Sequence, residues 1–195
     1  MSPAIRQLRY LAADADRIVN GKHWRWYSLV FSHGFQAVAL YRIDRFLYLA
    51  FGKLWRVART LLAPLFFLFR PWIQGCEIHY GADIGPGLLL LHPSMGVLVS
   101  LHAVIGSHCT LTGGNCIGVR DGARTGRMAI GDHVILGVNA VVLGPIRIGS
   151  RVTIGANSVA LHDVEDGAAV GGVPAVELRT SKERRAAAAM AGPRY

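Results

Sequence analysis

In the run LLLLHPSMGVLV, residues 88–99, a histidine and a proline break a stretch of aliphatic side chains. Imidazole is the side chain whose ordinary pKa lets it take up and return a proton near neutral pH, which makes His92 the first residue to weigh as a general base. A second interruption, VRDGARTGRMA at 119–129, is polar, glycine-rich and carries Arg120, Arg124 and Arg127. The three cysteines, Cys76, Cys109 and Cys116, form no CxxC pair, so neither a disulfide framework nor a zinc site is indicated and a reducing, cytoplasmic setting is expected. A cysteine carrying an acyl group is a poor candidate, because no histidine pattern accompanies Cys109 or Cys116.

The elements that must position these residues are set by a repeat. Aliphatic residues followed by glycine fall at Ile84-Gly85, Ile105-Gly106, Ile117-Gly118, Ile130-Gly131, Leu136-Gly137, Ile148-Gly149 and Ile154-Gly155. Most neighbours differ by six, with a second small or medium-sized residue four positions after each lead aliphatic. A six-residue unit cannot bury a core alone, so the units must stack and share one. Glycine every six residues supplies corners at little steric cost. The pattern predicts a mainly β fold: triangular coils of a parallel β-helix, about three units per coil. The alternation and the 8- to 12-residue spacing expected of a β-sandwich are missing. Both interruptions break the six-residue count, and breaks in a solenoid map to loops, often functional ones.

Charge is unevenly distributed. Lys and Arg against Asp and Glu number 11 and 3 over residues 1–75, 5 and 7 over 76–175, and 5 and 2 thereafter. A neutral to acidic centre argues against a nucleic-acid groove over the core. The sequence divides into an N-terminal helical segment (1–74), a β-helix domain (75–178) and a basic C-terminal tail (179–195). Residues 24–73 read as two or three helices mixing apolar clusters with arginines. The charge-free stretch Thr60–Phe69 is too short for the roughly 20 residues that span a bilayer. A helix of this composition can lie on an anionic membrane surface or pack on a partner. The first residues have no apolar core of a secretory signal, so none is expected.

Residues 76–178 resemble the hexapeptide-repeat acyltransferases, specifically the serine acetyltransferase branch and its relatives that O-acetylate bacterial polysaccharides. The resemblance rests on EIHYGADIGPGLLLLHPSMGVLV, the loop after Ile117, IGDHVILGVNAVVLGPIRIGSRVTIGANSVALHDV and VGGVPAVEL, and reaches upstream to GFQAVALYRIDRFLY. It implies a left-handed parallel β-helix with an N-terminal α-helical segment, a homotrimer with active sites between subunits, and acetyl transfer from acetyl-CoA to a hydroxyl, with no metal. By the same resemblance His92 is the catalytic base and Glu77 its orienting carboxylate. Gly118, Val138 and Ala156 line the cofactor path, and Arg127 or Arg120 approaches substrate or phosphate.

Two departures bear on the acceptor. Serine acetyltransferases carry Asp where this chain has Leu91, and a second His where it has Arg127. With VNGKHWRW resembling the polysaccharide branch, these departures favour a saccharide hydroxyl over free serine, and a peripheral membrane location with it. Serine O-acetylation in cysteine biosynthesis is the alternative. Two other classes compete: a zinc-dependent β-helix that hydrates carbon dioxide, and a non-catalytic scaffold. His79, His92, His102, His108, His133 and His162 lack the spacing of the first.

Overall fold

The computed structural model describes residues 2–19, 27–64, 75–120 and 128–178. From Cys76 the chain winds through coils of three short strands. The first coil holds β1 (Cys76–Ile78), β2 (Asp83–Ile84) and β3 (Leu89–Leu90); the second β4 (Val97–Val99), β5 (Ala103–Ile105) and β6 (Thr110–Leu111). The third holds β7 (Asn115–Val119), β8 (Met128–Ile130) and β9 (Ile135–Leu136); the fourth β10 (Val141–Gly144), β11 (Arg147–Ile148) and β12 (Thr153–Ile154). Strands β13 (Val159–Ala160), β14 (Ala169–Gly171) and β15 (Val176–Glu177) close the stack. Equivalent strands pair in parallel as three sheets, and only β15 runs antiparallel to its neighbour. This is the parallel β-helix expected from the repeat.

Register turns the repeat into a core. Ile78, Val99, Ile117, Val142 and Ala160 stack one above another, as do Ile84, Ile105, Ile130 and Ile148, and Leu90, Leu111, Leu136, Ile154 and Val170. Three aliphatic columns meet along the axis, and nearly all these residues are buried. Each unit alone leaves its aliphatic face wet, so the favourable apolar burial exists only in the stack.

The reason for the glycines differs from the expectation. The left-handed corners belong to His108, His133, Asn139, Arg151 and Asn157, with φ between 55 and 58°. The repeat glycines serve close approach instead: a Cβ on Gly106 would lie 2.6 Å from the carbonyl carbon of Gly131 in the next coil. Glycine is kept there because backbones nearly touch, not because φ is positive.

Four helices precede the coils among the described residues: α1 (Pro3–Val19), α2 (Tyr27–Phe31), α3 (His33–Phe51) and α4 (Lys53–Leu61). Ser32 caps α3, its hydroxyl accepting the Phe35 N–H at 3.2 Å. Gly52, at φ 56°, separates α3 from α4. The helices dock on the first coils through buried charge. Arg42 donates from Nε to Asp14 Oδ2 at 2.8 Å, and its Nη atoms reach the carbonyls of Ile84 and Gly85, each at 2.6 Å. Asp14 Oδ1 accepts the Leu88 N–H at 2.7 Å. Arg17 bonds the Gly87 and Cys109 carbonyls and Thr110 Oγ1, while Arg45 bonds the Tyr80 carbonyl and Asp83. Tyr41 donates to the Ala82 carbonyl at 2.9 Å, and burial pushes its hydroxyl pKa up to about 12. These arginines cap coil-edge carbonyls that would otherwise be desolvated without partners.

Candidate active site

His92 sits exposed where β3 ends, at the head of a single 3₁₀ turn, Pro93–Met95. Pro93 at the first position presets the turn's φ, and Gly96, at φ 75°, lets the chain re-enter β4. The break in the repeat is thus a turn that lifts one imidazole off the solenoid corner. Its backbone is anchored: the His92 N–H donates to the Thr112 carbonyl at 2.9 Å, and the Gly114 N–H to the Gly96 carbonyl at 2.7 Å.

Two residues that sequence reasoning did not single out hold this turn. Gly113, at φ 140°, packs so closely that a Cβ there would lie 2.5 Å from the His92 carbonyl oxygen. Asn115 occupies an inward position, 2% exposed, where the register neighbour is Val97. Its Oδ1 accepts the Gly113 N–H at 2.9 Å, and its Nδ2 donates to the Gly137 carbonyl at 2.7 Å. The signal was present in LTGGNCIG, where an asparagine replaces the small apolar residue the repeat calls for.

Beyond His92 the same corner continues down the coils. The Asn139 N–H donates to the Gly113 carbonyl and the Asn157 N–H to the Val138 carbonyl, each at 2.8 Å. Asn139 Nδ2 donates to Asn157 Oδ1 at 3.1 Å. Val138 and Ala156 therefore follow the His92 turn on one edge, partly or fully exposed. Gly118 lies buried in β7, around the coil from that edge. Arg120 is exposed and donates to the Leu161 carbonyl at 3.3 Å. Arg127, with residues 121–127 of the expected loop, and the VNGKHWRW segment from Asn20 to Trp26 lie outside the described residues.

Glu77 is exposed in β1, in register with Leu98 on the outward side of the first sheet. It lines a groove of about 490 Å³ together with Tyr41, Trp55 and Arg59. Next to it, Cys76 Sγ donates to the Pro93 carbonyl at 3.4 Å, which ties the start of β1 to the His92 turn. Burial first, then the charge of Arg59, hold the His79 pKa below the ordinary histidine value, and its Nδ1 accepts the Gly81 N–H at 2.9 Å. His79 stacks on Tyr80, over which Arg59 lies. The thiols of Cys76, Cys109 and Cys116 are all pushed up by burial, which disfavours the nucleophilic thiolate. His108 and His133 stack at 5.1 Å, and among the described residues no group of three or more His, Cys, Asp or Glu could hold a metal ion.

Known proteins supply an independent comparison. The family model for the bacterial transferase hexapeptide, six repeats, matches residues 128–161. The serine acetyltransferase of Synechococcus elongatus is 36% identical over 143 residues, 72% of this chain and 55% of that protein. That of Helicobacter pylori is 34% identical over 141 residues, 63% of this chain and 78% of that protein. The crystal structure of Neisseria gonorrhoeae serine acetyltransferase in complex with serine superposes with a TM-score of 0.71 at 34% identity, covering 88% of this chain and 69% of that one. A serine acetyltransferase complex with CoA superposes at 0.68 with 28% identity, covering 88% and 69%. The chain spans about half the length of the first curated relatives it matches, 55% and 46%.

These likenesses overturn the saccharide acceptor. That expectation weighed two side chains, Leu91 and Arg127, as lost amino-acid contacts. Leu91 lies 48% exposed beside His92, and it alters one corner only. The match to serine acetyltransferases runs through helices and coils alike, at 34–36% identity over most of the chain.

Proposed function

The chain belongs to the serine acetyltransferase family of hexapeptide-repeat acyltransferases, and from that membership we propose that it transfers acetyl from acetyl-CoA to the hydroxyl of serine, a step toward cysteine. The observation that carries the reading is the His92 corner: an exposed imidazole on a turn pinned by Gly113 and Asn115, at the head of the Val138–Ala156 edge.

In this mechanism neutral His92 accepts the serine hydroxyl proton as the oxygen attacks the thioester carbonyl. An alcohol is too weak an acid to attack unaided near pH 7, so a positioned base is required. The tetrahedral intermediate collapses, the carbon–sulfur bond breaks, and the imidazolium returns its proton to the departing thiolate. O-acetylserine and free CoA leave. Glu77 is the orienting carboxylate, fixing the imidazole tautomer and stabilising the imidazolium, the role the acid plays in a Ser-His-Asp array. Acetyl-CoA follows the edge past Val138 and Ala156, while Gly118, buried around the coil from that edge, takes no part in this path. Arg127 or Arg120 meets its phosphates or the serine carboxylate. Three copies assemble with the site between neighbours, in a reducing, cytoplasmic setting that suits the free Cys76, Cys109 and Cys116.

A thiol-release assay with acetyl-CoA, serine and a panel of other hydroxyl compounds tests the reading. Serine-dependent CoA release from the parent, abolished in His92→Ala, is the expected result. Release that is indifferent to serine overturns the acceptor, and activity in His92→Ala within a factor of two overturns the base.

A further inference from the structure

Helix α4 has two unlike sides. One side faces α3: Trp55 Nε1 donates to Asp44 Oδ1 at 2.7 Å, and Arg59 Nε to Asp44 Oδ2 at 3.0 Å. The other side continues an apolar stripe from the end of α3. Leu54, Val57 and Leu61 recur at helical spacing and are 68, 59 and 76% exposed, and Phe51, just before the Gly52 break, is 56% exposed. A soluble helix turns such a stripe inward; here it is turned out, with exposed Lys53 and Arg56 beside it. The charge is one-sided as well. No acidic residue occurs between Asp44 and Glu77, while Arg45, Lys53, Arg56, Arg59 and Arg70 do.

We propose that this face of α4 is a docking surface for an anionic phospholipid bilayer, on which the helix lies in the interfacial plane. Leu54, Val57 and Leu61 enter the acyl boundary, while Lys53 and Arg56 meet the lipid phosphates. Charge selects this occupant. A second copy seated face to face about a twofold axis would set Lys53 and Arg56 against their own equivalents, with no acid on the helix to answer them. The docking is peripheral, since no helix among the described residues is long and apolar enough to cross a membrane. At nine residues α4 is about 13 Å long, enough to lie in the interfacial plane and too short to cross a hydrocarbon core of about 30 Å.

Co-sedimentation of the full-length chain with sucrose-loaded vesicles tests the proposal, using phosphatidylcholine alone or mixed with phosphatidylglycerol. The parent is expected to pellet with the anionic vesicles, less so as salt rises, and to stay in solution with phosphatidylcholine. The triple variant Leu54→Ser, Val57→Ser, Leu61→Ser is expected to lose at least about tenfold in partitioning. Lys53→Gln and Arg56→Gln should each lose about fivefold. Thiol release from acetyl-CoA and the native mass should be unchanged in the triple variant, which separates loss of docking from loss of fold. Failure of the parent to pellet with anionic vesicles overturns the proposal, as does undiminished pelleting of the triple variant. A parent that stays in solution, with a triple variant of smaller assembled mass, assigns the face to a second copy instead.

Discussion

His92 is exposed on its turn, so truncating it removes a proton acceptor and very little packing. His92→Ala is therefore expected to unfold at the parent's temperature while kcat for acetyl transfer falls about 10²- to 10⁴-fold, measured by thiol release beside a melting curve. At Glu77 the proposed role predicts a smaller loss, of about tenfold to a thousandfold in kcat for Glu77→Gln with little change in KM, because an orienting carboxylate acts through the base. His79 supplies the acid sensitivity. Burial and Arg59 lower its pKa, so the unfolded chain binds the proton more readily than the native one. As pH falls through the ordinary histidine value near about 6.5, the unfolded state is protonated first, and native stability declines until the lower folded pKa is passed. His79→Asn keeps an acceptor for the Gly81 N–H without the titration, and its Tm between pH 7 and 5 should fall less than the parent's. His92 was legible from the sequence because it breaks a count; Asn115 was legible only as a polar residue at an inward position, since the Gly113 and Gly137 groups it bonds are fixed by the stacking of coils.

At the scale of elements the turn and its support act as one unit. Gly113→Ala places a Cβ 2.5 Å from the His92 carbonyl oxygen, at a φ of 140° that side chains avoid. The turn must shift, and we expect a loss of about 1–3 kcal/mol in denaturant stability. Since a misplacement of about 1 Å can cost 10²-fold in rate, kcat should fall by about that factor, far more than a surface glycine elsewhere would produce. The coils were legible because the period of six is written in aliphatic residues that must stack to be buried at all. The basis of the glycines was not, because corner φ and coil-to-coil contact both ask for the same residue. Only the structure distinguishes Gly106, pressed against the next coil, from corners at which His133 and Arg151 adopt positive φ unaided.

For the whole molecule, the question is what joins helices to solenoid. Arg42 and Asp14 are 1 and 0% exposed, and both also bind coil backbone. Removing one partner strands the other charge in a dry interface, so Asp14→Leu or Arg42→Met is expected to cost about 3–5 kcal/mol. Replacing both together should cost less than the sum, in chemical denaturation followed by circular dichroism. None of this pairing is visible in the sequence, where Asp14 and Arg42 stand 28 residues apart in segments that read only as basic and helical. Nor did the sequence show that α1 packs on α3. The acceptor was misread for a related reason: two altered residues, Leu91 and Arg127, outweighed a likeness spread over the chain. By itself the sequence determined the repeat, the three-sided coil, the two interruptions and His92 as the residue one of them presents, because periodic burial is a local rule repeated many times. Tertiary structure alone decided which side chains hold that histidine, which arginines clamp the helices to the coils, and which face of α4 is left to solvent. Those depend on contacts between residues far apart in sequence, whose partners no period announces.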